Sequence, residues 1–66
     1  MTLIEGFKRY RKKPLIIQAK QMPGHFIVET LEGKMKGEPG DYLIIGIKGE
    51  RYPCKKEIFE ESYDEV

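Results

Sequence analysis

Two side chains in this 66-residue sequence are natural partners for nucleophilic chemistry, His25 and Cys54. A thiolate attacks while an imidazole takes up its proton, so a cysteine and a histidine are a minimal nucleophile-and-base set. Distance along the chain excludes nothing. His25, however, follows the Pro23-Gly24 turn signal, where a histidine is usually an exposed turn residue. Cys54 lies between Pro53 and a helix start, where the helix dipole could lower its pKa and make it reactive. A lone cysteine at such a place is more often a small buried hydrophobe. No third group orients the histidine and no oxyanion donors are evident, so no enzyme is expected.

Asp41, with Glu38 and Glu50, offers oxygen ligands for a divalent cation, but no calcium-loop spacing is present. The plainer reading is an aspartate hydrogen-bonding its own turn. The glycines match neither GxGxxG nor GxxxxGKS, so no phosphate cradle and no cofactor are expected. The lone Cys54 has no partner for a disulfide or a cysteine-based zinc site. Tyr42, Tyr52 and Tyr63 could form an aromatic contact patch, or be half-buried tyrosines whose hydroxyls reach water.

FKRYRKKP is the sharpest candidate for binding. Lys8, Arg9, Arg11, Lys12 and Lys13 alternate with Phe7 and Tyr10, so cations could neutralise phosphates while Tyr10 stacks on a base. The competing reading is a solvated basic flank. An overall pI of about 7.8 favours the flank, being below the basicity of a dedicated nucleic-acid binder. Net charge is only +1, because the acids Glu57, Glu60, Glu61, Asp64 and Glu65 crowd the other end. The two ends are therefore expected to attract one another, as the ends of small domains often lie close together.

The elements that must position these groups are set off by turn signals. Pro23-Gly24, Glu32-Gly33, Pro39-Gly40 and Lys48-Gly49 cut the chain into short β-branched and aromatic runs, the pattern of a small antiparallel domain. Proline followed by glycine suits a type II turn. Strands are expected over 15–22, placed centrally because its start is apolar on both faces, and over 26–30. A polar edge strand over 34–38 follows, then the sheet centre over 42–47 and a return over 50–52. Gly46 is a candidate for a bulge or a close backbone approach. Pro53 should end the last of these strands. KKEIFEES then reads as about two helical turns docked by Ile58 and Phe59 with help from Tyr63, and 62–66 could add a terminal strand. Residues 7–13 read as a short strand or an arm.

The expected architecture is α+β. A small twisted antiparallel β-sheet of four to five strands, open or barrel-like, is closed by one short C-terminal helix. Residues 1–13 form a basic arm or edge strand and 14–66 a single β-rich domain. A chain this short sits near the limit for folding alone and has little core to spare for a deep substrate pocket. No apolar run approaches the ~18 residues of a membrane span. The charges follow the apolar start, the reverse of a secretory signal, so a reduced, cytoplasmic setting without membrane contact is expected.

The succession PGDY, GERYPC, EIFEESY resembles small bacteriophage and prophage proteins that share a PGDY signature (a PGDYG-like family). The residues carrying it are Pro39, Gly40, Asp41, Tyr42, Gly49, Glu50, Tyr52, Pro53, Cys54, Ile58, Phe59 and Tyr63. YRKKPLIIQAKQM also resembles the usual first strand, so the likeness covers most of the chain. Here only a short segment separates that strand from the PGDY turn, where many relatives carry a longer insert. The resemblance implies a phage or prophage origin and a short intracellular accessory protein. It assigns no activity and transfers no catalytic residue. Together these readings lead to a non-enzymatic module that binds a host or phage protein, as a monomer or weak homodimer. The alternative is nucleic-acid binding through Lys8, Arg9, Tyr10, Arg11, Lys12 and Lys13.

Overall fold

A computed structural model describes residues 4–66, so the first three residues of the expected arm lie outside the described residues. Five antiparallel strands and one helix follow in chain order: β1 (Gln18–Gln21), β2 (Phe26–Thr30), β3 (Gly33–Gly37), β4 (Tyr42–Ile45), β5 (Arg51–Cys54) and α1 (Lys56–Ser62). The fold is thus a small α+β domain with a short C-terminal helix. Its strands form two sheets that do not close into a barrel. One has the order β1-β4-β5 and the other is the β2-β3 hairpin, which packs against β5. No helix among the described residues is long and apolar enough to cross a membrane.

YLII of β4 forms the centre of its sheet, as its unbroken apolarity requires. Ile44 there is the most deeply buried large side chain, with Val28 of β2 as the second fully buried apolar residue. In the hairpin, Phe26, Val28 and Thr30 alternate with the exposed Ile27 and Glu29, the period of a half-buried strand. Phe26 stands opposite Gly37, and a Cβ on Gly37 would overlap its ring. The glycine is therefore the seat for the aromatic side chain.

The first strand departs most from expectation. It covers four residues instead of eight and lies at an edge instead of the centre. Its partner explains the length: Gln18 pairs with Ile45, after which β4 runs into the Gly46–Gly49 turn, so nothing remains for Leu15–Ile17 to bond. Pro23-Gly24 does not join two paired strands, since β1 pairs with β4 and β2 with β3. Gly24 also lacks the positive φ of a type II turn. Pro53 does not end β5 but sits inside it, opposite Leu43. A proline's missing N–H is tolerated on an outer strand. Residues 63–66 form no strand, and neither do residues 7–13.

Candidate functional site

The PGDY segment joins a turn, a strand and a helix start through one carboxylate. Pro39 and Gly40 are the central pair of a turn closed by the Asp41 N–H donating to the Glu38 carbonyl at 3.0 Å. Gly40 has φ +91°, the left-handed value that the second central position of a type II turn demands. Asp41 follows, buried, and its carboxylate has two tasks. Oδ2 accepts from the Glu38 N–H at 3.0 Å, and Oδ1 accepts from the Lys56 N–H at 3.1 Å. Lys55 Nζ lies 3.6 Å from Oδ2.

The second task matters because α1 cannot cap itself. Lys55, at its N-cap, has no side-chain acceptor for the first helical amides, and its charge opposes the helix dipole. Asp41 supplies both the acceptor and the negative charge from another element. The Glu38 N–H, foremost, holds its carboxyl below the ordinary range; burial opposes this, and the Lys56 N–H and Lys55 ammonium add to it. Asp41 is thus occupied by backbone amides. Glu38 meets His25 Nδ1 at 3.1 Å, and Glu50 accepts from the Lys48 N–H at 3.0 Å. The three acids do not converge, and among the described residues no group of three or more His, Cys, Asp or Glu is placed to hold a metal ion.

Beside Asp41, an aromatic column pins the helix. Tyr42 stacks on Phe59 at 3.9 Å between ring centroids, and Phe59 stacks on Tyr63 at 4.9 Å. The second pair is spaced four residues apart, so both rings share one helix face. Ile58 falls on another face and is 57% exposed, which corrects its expected part in docking. Tyr42 donates to Glu60 Oε2 at 3.3 Å, and Lys56 Nζ donates to the other oxygen at 3.1 Å. Burial, and then the Glu60 carboxylate, push the Tyr42 phenol up. Burial, and then Tyr63, push the Tyr52 phenol up. All three tyrosines are half-buried, and the hydroxyls of Tyr42 and Tyr63 meet Glu60 and Lys12 where the second of the two roles had them reach water.

The remaining signature residues also serve the fold. Gly49, at φ +82°, donates to the Gly46 carbonyl at 3.0 Å and turns the chain from β4 into β5. A Cβ on Gly46 would overlap the Glu50 carboxylate, so the close approach expected there is made by a side chain. Cys54 is half-buried at the end of β5. Burial, and then Asp41, push its thiol up, with Lys12 pulling the other way. This is the opposite of activation. His25 faces solvent beside Glu38, and no hydrogen bond joins it to Cys54.

The basic arm is extended and exposed through Lys8, Arg9, Tyr10, Arg11, Lys12 and Lys13, with Tyr10 at 89%. One of these residues is tied down. Lys12 Nζ donates to the Tyr63 hydroxyl at 3.4 Å and lies 5.4 Å from the centre of that ring. Lys12 of the arm thus meets Tyr63 near the other end through a cation on an aromatic face, and not through the attraction of opposite charges that the pattern suggested. No ion pair links the two ends among the described residues.

Sequence reasoning missed two features. One is the reach of Asp41 to an amide fifteen positions on, which no local pattern encodes. The other is the extent of apolar side chain left in water: Leu15, Ile16, Ile27, Leu31, Ile47 and Ile58 are all exposed, with Leu31 entirely so. The shortage of core expected of so short a chain was the available signal. In comparison with known proteins, the chain matches no family model, no curated protein and no solved structure.

Proposed function

We propose that the protein is a non-enzymatic phage or prophage accessory protein that works inside the cell by binding another protein. The observation that carries this reading is its surplus surface. The accessible area is 6355 Å², whereas a compact monomer of 7.7 kDa exposes about 4,300 Å². The radius of gyration, 14.4 Å, likewise exceeds the ~11 Å of a compact chain this long. Leu15, Ile16, Ile27, Leu31, Ile47 and Ile58 lie in that exposed surface, and large apolar side chains left in water mark contact surface where they cluster. His25 and Cys54, the one pair suited to nucleophilic catalysis, share no hydrogen bond, and burial pushes the thiol up.

Affinity capture from the host, with two classes of variant, tests this. Ile27→Asp and Leu31→Asp change exposed residues and should abolish capture of a specific protein while leaving the far-ultraviolet dichroism unchanged. His25→Ala and Cys54→Ala should leave it intact. Loss of function in the second pair alone, with the fold preserved, would overturn the reading.

The second reading, nucleic-acid binding, is favoured by one observation: Lys8, Arg9, Arg11 and Lys13 are exposed and form no ion pair among the described residues. It requires binding to oligonucleotides that weakens steeply with salt. Amide shifts in a titration would then concentrate at residues 7–13.

A further inference from the structure

The segment 15–21 has the composition of one continuous strand, yet only Gln18–Gln21 has a partner. Leu15 and Ile16 project past the end of β4, 54% and 75% exposed. All four residues of β1 are exposed as well, and nothing pairs with its outer side among the described residues. A strand edge of this kind is a template for another strand. Here the edge is longer than the strand that covers its inner side.

We infer that residues 15–21 pair antiparallel with the same residues of a second copy, across a two-fold axis at Gln18, to join the two three-stranded sheets into one of six strands. This rests on the reading of the surplus surface as protein-contact surface, and it assigns one edge of that surface to a second copy of the chain. The pairing is fixed by which backbone groups are free. The Met22 N–H donates to the Asp41 carbonyl, and the Met22 carbonyl accepts from the Gly40 N–H, so Met22 faces the β4 side. Alternation then turns Lys20 and Gln18 toward β4, and Gln21, Ala19 and Ile17 toward the open side.

An axis at Gln18 sets Ile17 opposite the second copy's Ala19, matching free groups to free groups, and Leu15 opposite its Gln21, where the Leu15 carbonyl is free but the N–H would exchange its 2.8 Å bond to the Lys13 carbonyl. It sets Ile16 opposite the second copy's Lys20, whose aliphatic stem can cover it. Each lysine meets an isoleucine, so no like charges are opposed, and the edge is complementary to itself as an isologous contact must be.

Cysteine cross-linking and charge reversal test the register in the full-length chain. In a Cys54→Ser background, Gln18→Cys places two thiols on the axis in a non-hydrogen-bonded pair. Their Cα atoms would be about 4.5 Å apart, within the ~4.4–6.8 Å span of a disulfide. It should oxidise to a covalent dimer at micromolar concentration, while Ala19→Cys, displaced from the axis, should not. Equal rates for the two would overturn the pairing. Ile16→Glu faces the second copy's Lys20 and should tighten the dimer in sedimentation equilibrium, whereas Ile16→Lys should loosen it. Each change is about two- to fivefold for each of two symmetry-related contacts. Both variants weakening association alike would refute the register. A wild-type chain that sediments as a monomer up to millimolar concentration would refute self-pairing, and would leave the protein-binding reading to the Ile27 and Leu31 variants.

Discussion

Around Asp41, a turn, a central strand and a helix start share one carboxylate, and each polar group there has a partner within the chain. Along residues 7–16 the chain is exposed and forms no helix or strand, and its one side-chain tie to the folded body is Lys12 on Tyr63. The two regions have similar numbers of charged residues, so composition does not separate them. What separates them is whether a charge has a backbone donor or an aromatic ring to meet. The first region explains how so small a chain holds a fold. The second holds the material the fold does not use.

That contrast breaks most readily at the core beside Asp41. Ile44→Ala should cost about 2–5 kcal/mol, the usual range for emptying a buried aliphatic position. In denaturant titration this is the largest effect expected of any single substitution. Phe59→Ala removes the middle ring of the column and should cost about 2–3 kcal/mol. Its neighbour Ile58→Ala should stay within about 0.5 kcal/mol. Comparable losses at 58 and 59 would mean that the helix docks on a different face.

Asp41→Asn should rank next. An amide offers one oxygen where two N–H groups need acceptors, and it brings no charge to the helix start. The same substitution tests pH dependence. Because the folded state holds the Asp41 carboxyl below its ordinary range, its stabilising contribution is complete above that range. It is lost as pH falls through the ordinary value toward the folded one. The wild type should therefore lose stability over that interval more steeply than Asp41→Asn in acid-dependent melting. Parallel acid limbs would show that the carboxylate is not the hub.

Smaller still is Gly40→Ala, which forces a side chain into the left-handed region at about 1–2 kcal/mol. The smallest effect belongs to the other region. Lys12→Ala gives up one exposed cation–π contact, about 0.5–1 kcal/mol or less. A larger loss there would show that the arm is part of the folded body, and would erase the distinction between the regions.

Legibility in the sequence follows the same division. Pro39-Gly40 announced its turn because proline and glycine preset the two dihedrals a type II turn needs, and β4 announced itself through unbroken apolarity. The strand at 15–22 was overextended because composition reports a tendency to pair and cannot count the partners available. Pro53 looks like a terminator because proline is excluded from sheet interiors, a rule that lapses at an edge. Ile58 and Phe59 look alike in composition, although the four-residue step from Phe59 to Tyr63 marks which of them shares the docked face. The cap on α1 was beyond sequence reasoning, since it comes from a turn on the far side of a hairpin.

That borrowed cap has a consequence for the order in which the chain assembles. A seven-residue helix does not persist alone in water, because nucleation fixes several dihedrals for a single bond. The start of α1 becomes favourable only once β4 and β5 have paired and carried Lys56 to Asp41. The helix thus consolidates after β4 and β5 have paired and opens before they part. Its amides from Phe59 onward should exchange with solvent deuterium ahead of those in β4, through local opening that leaves the sheet intact.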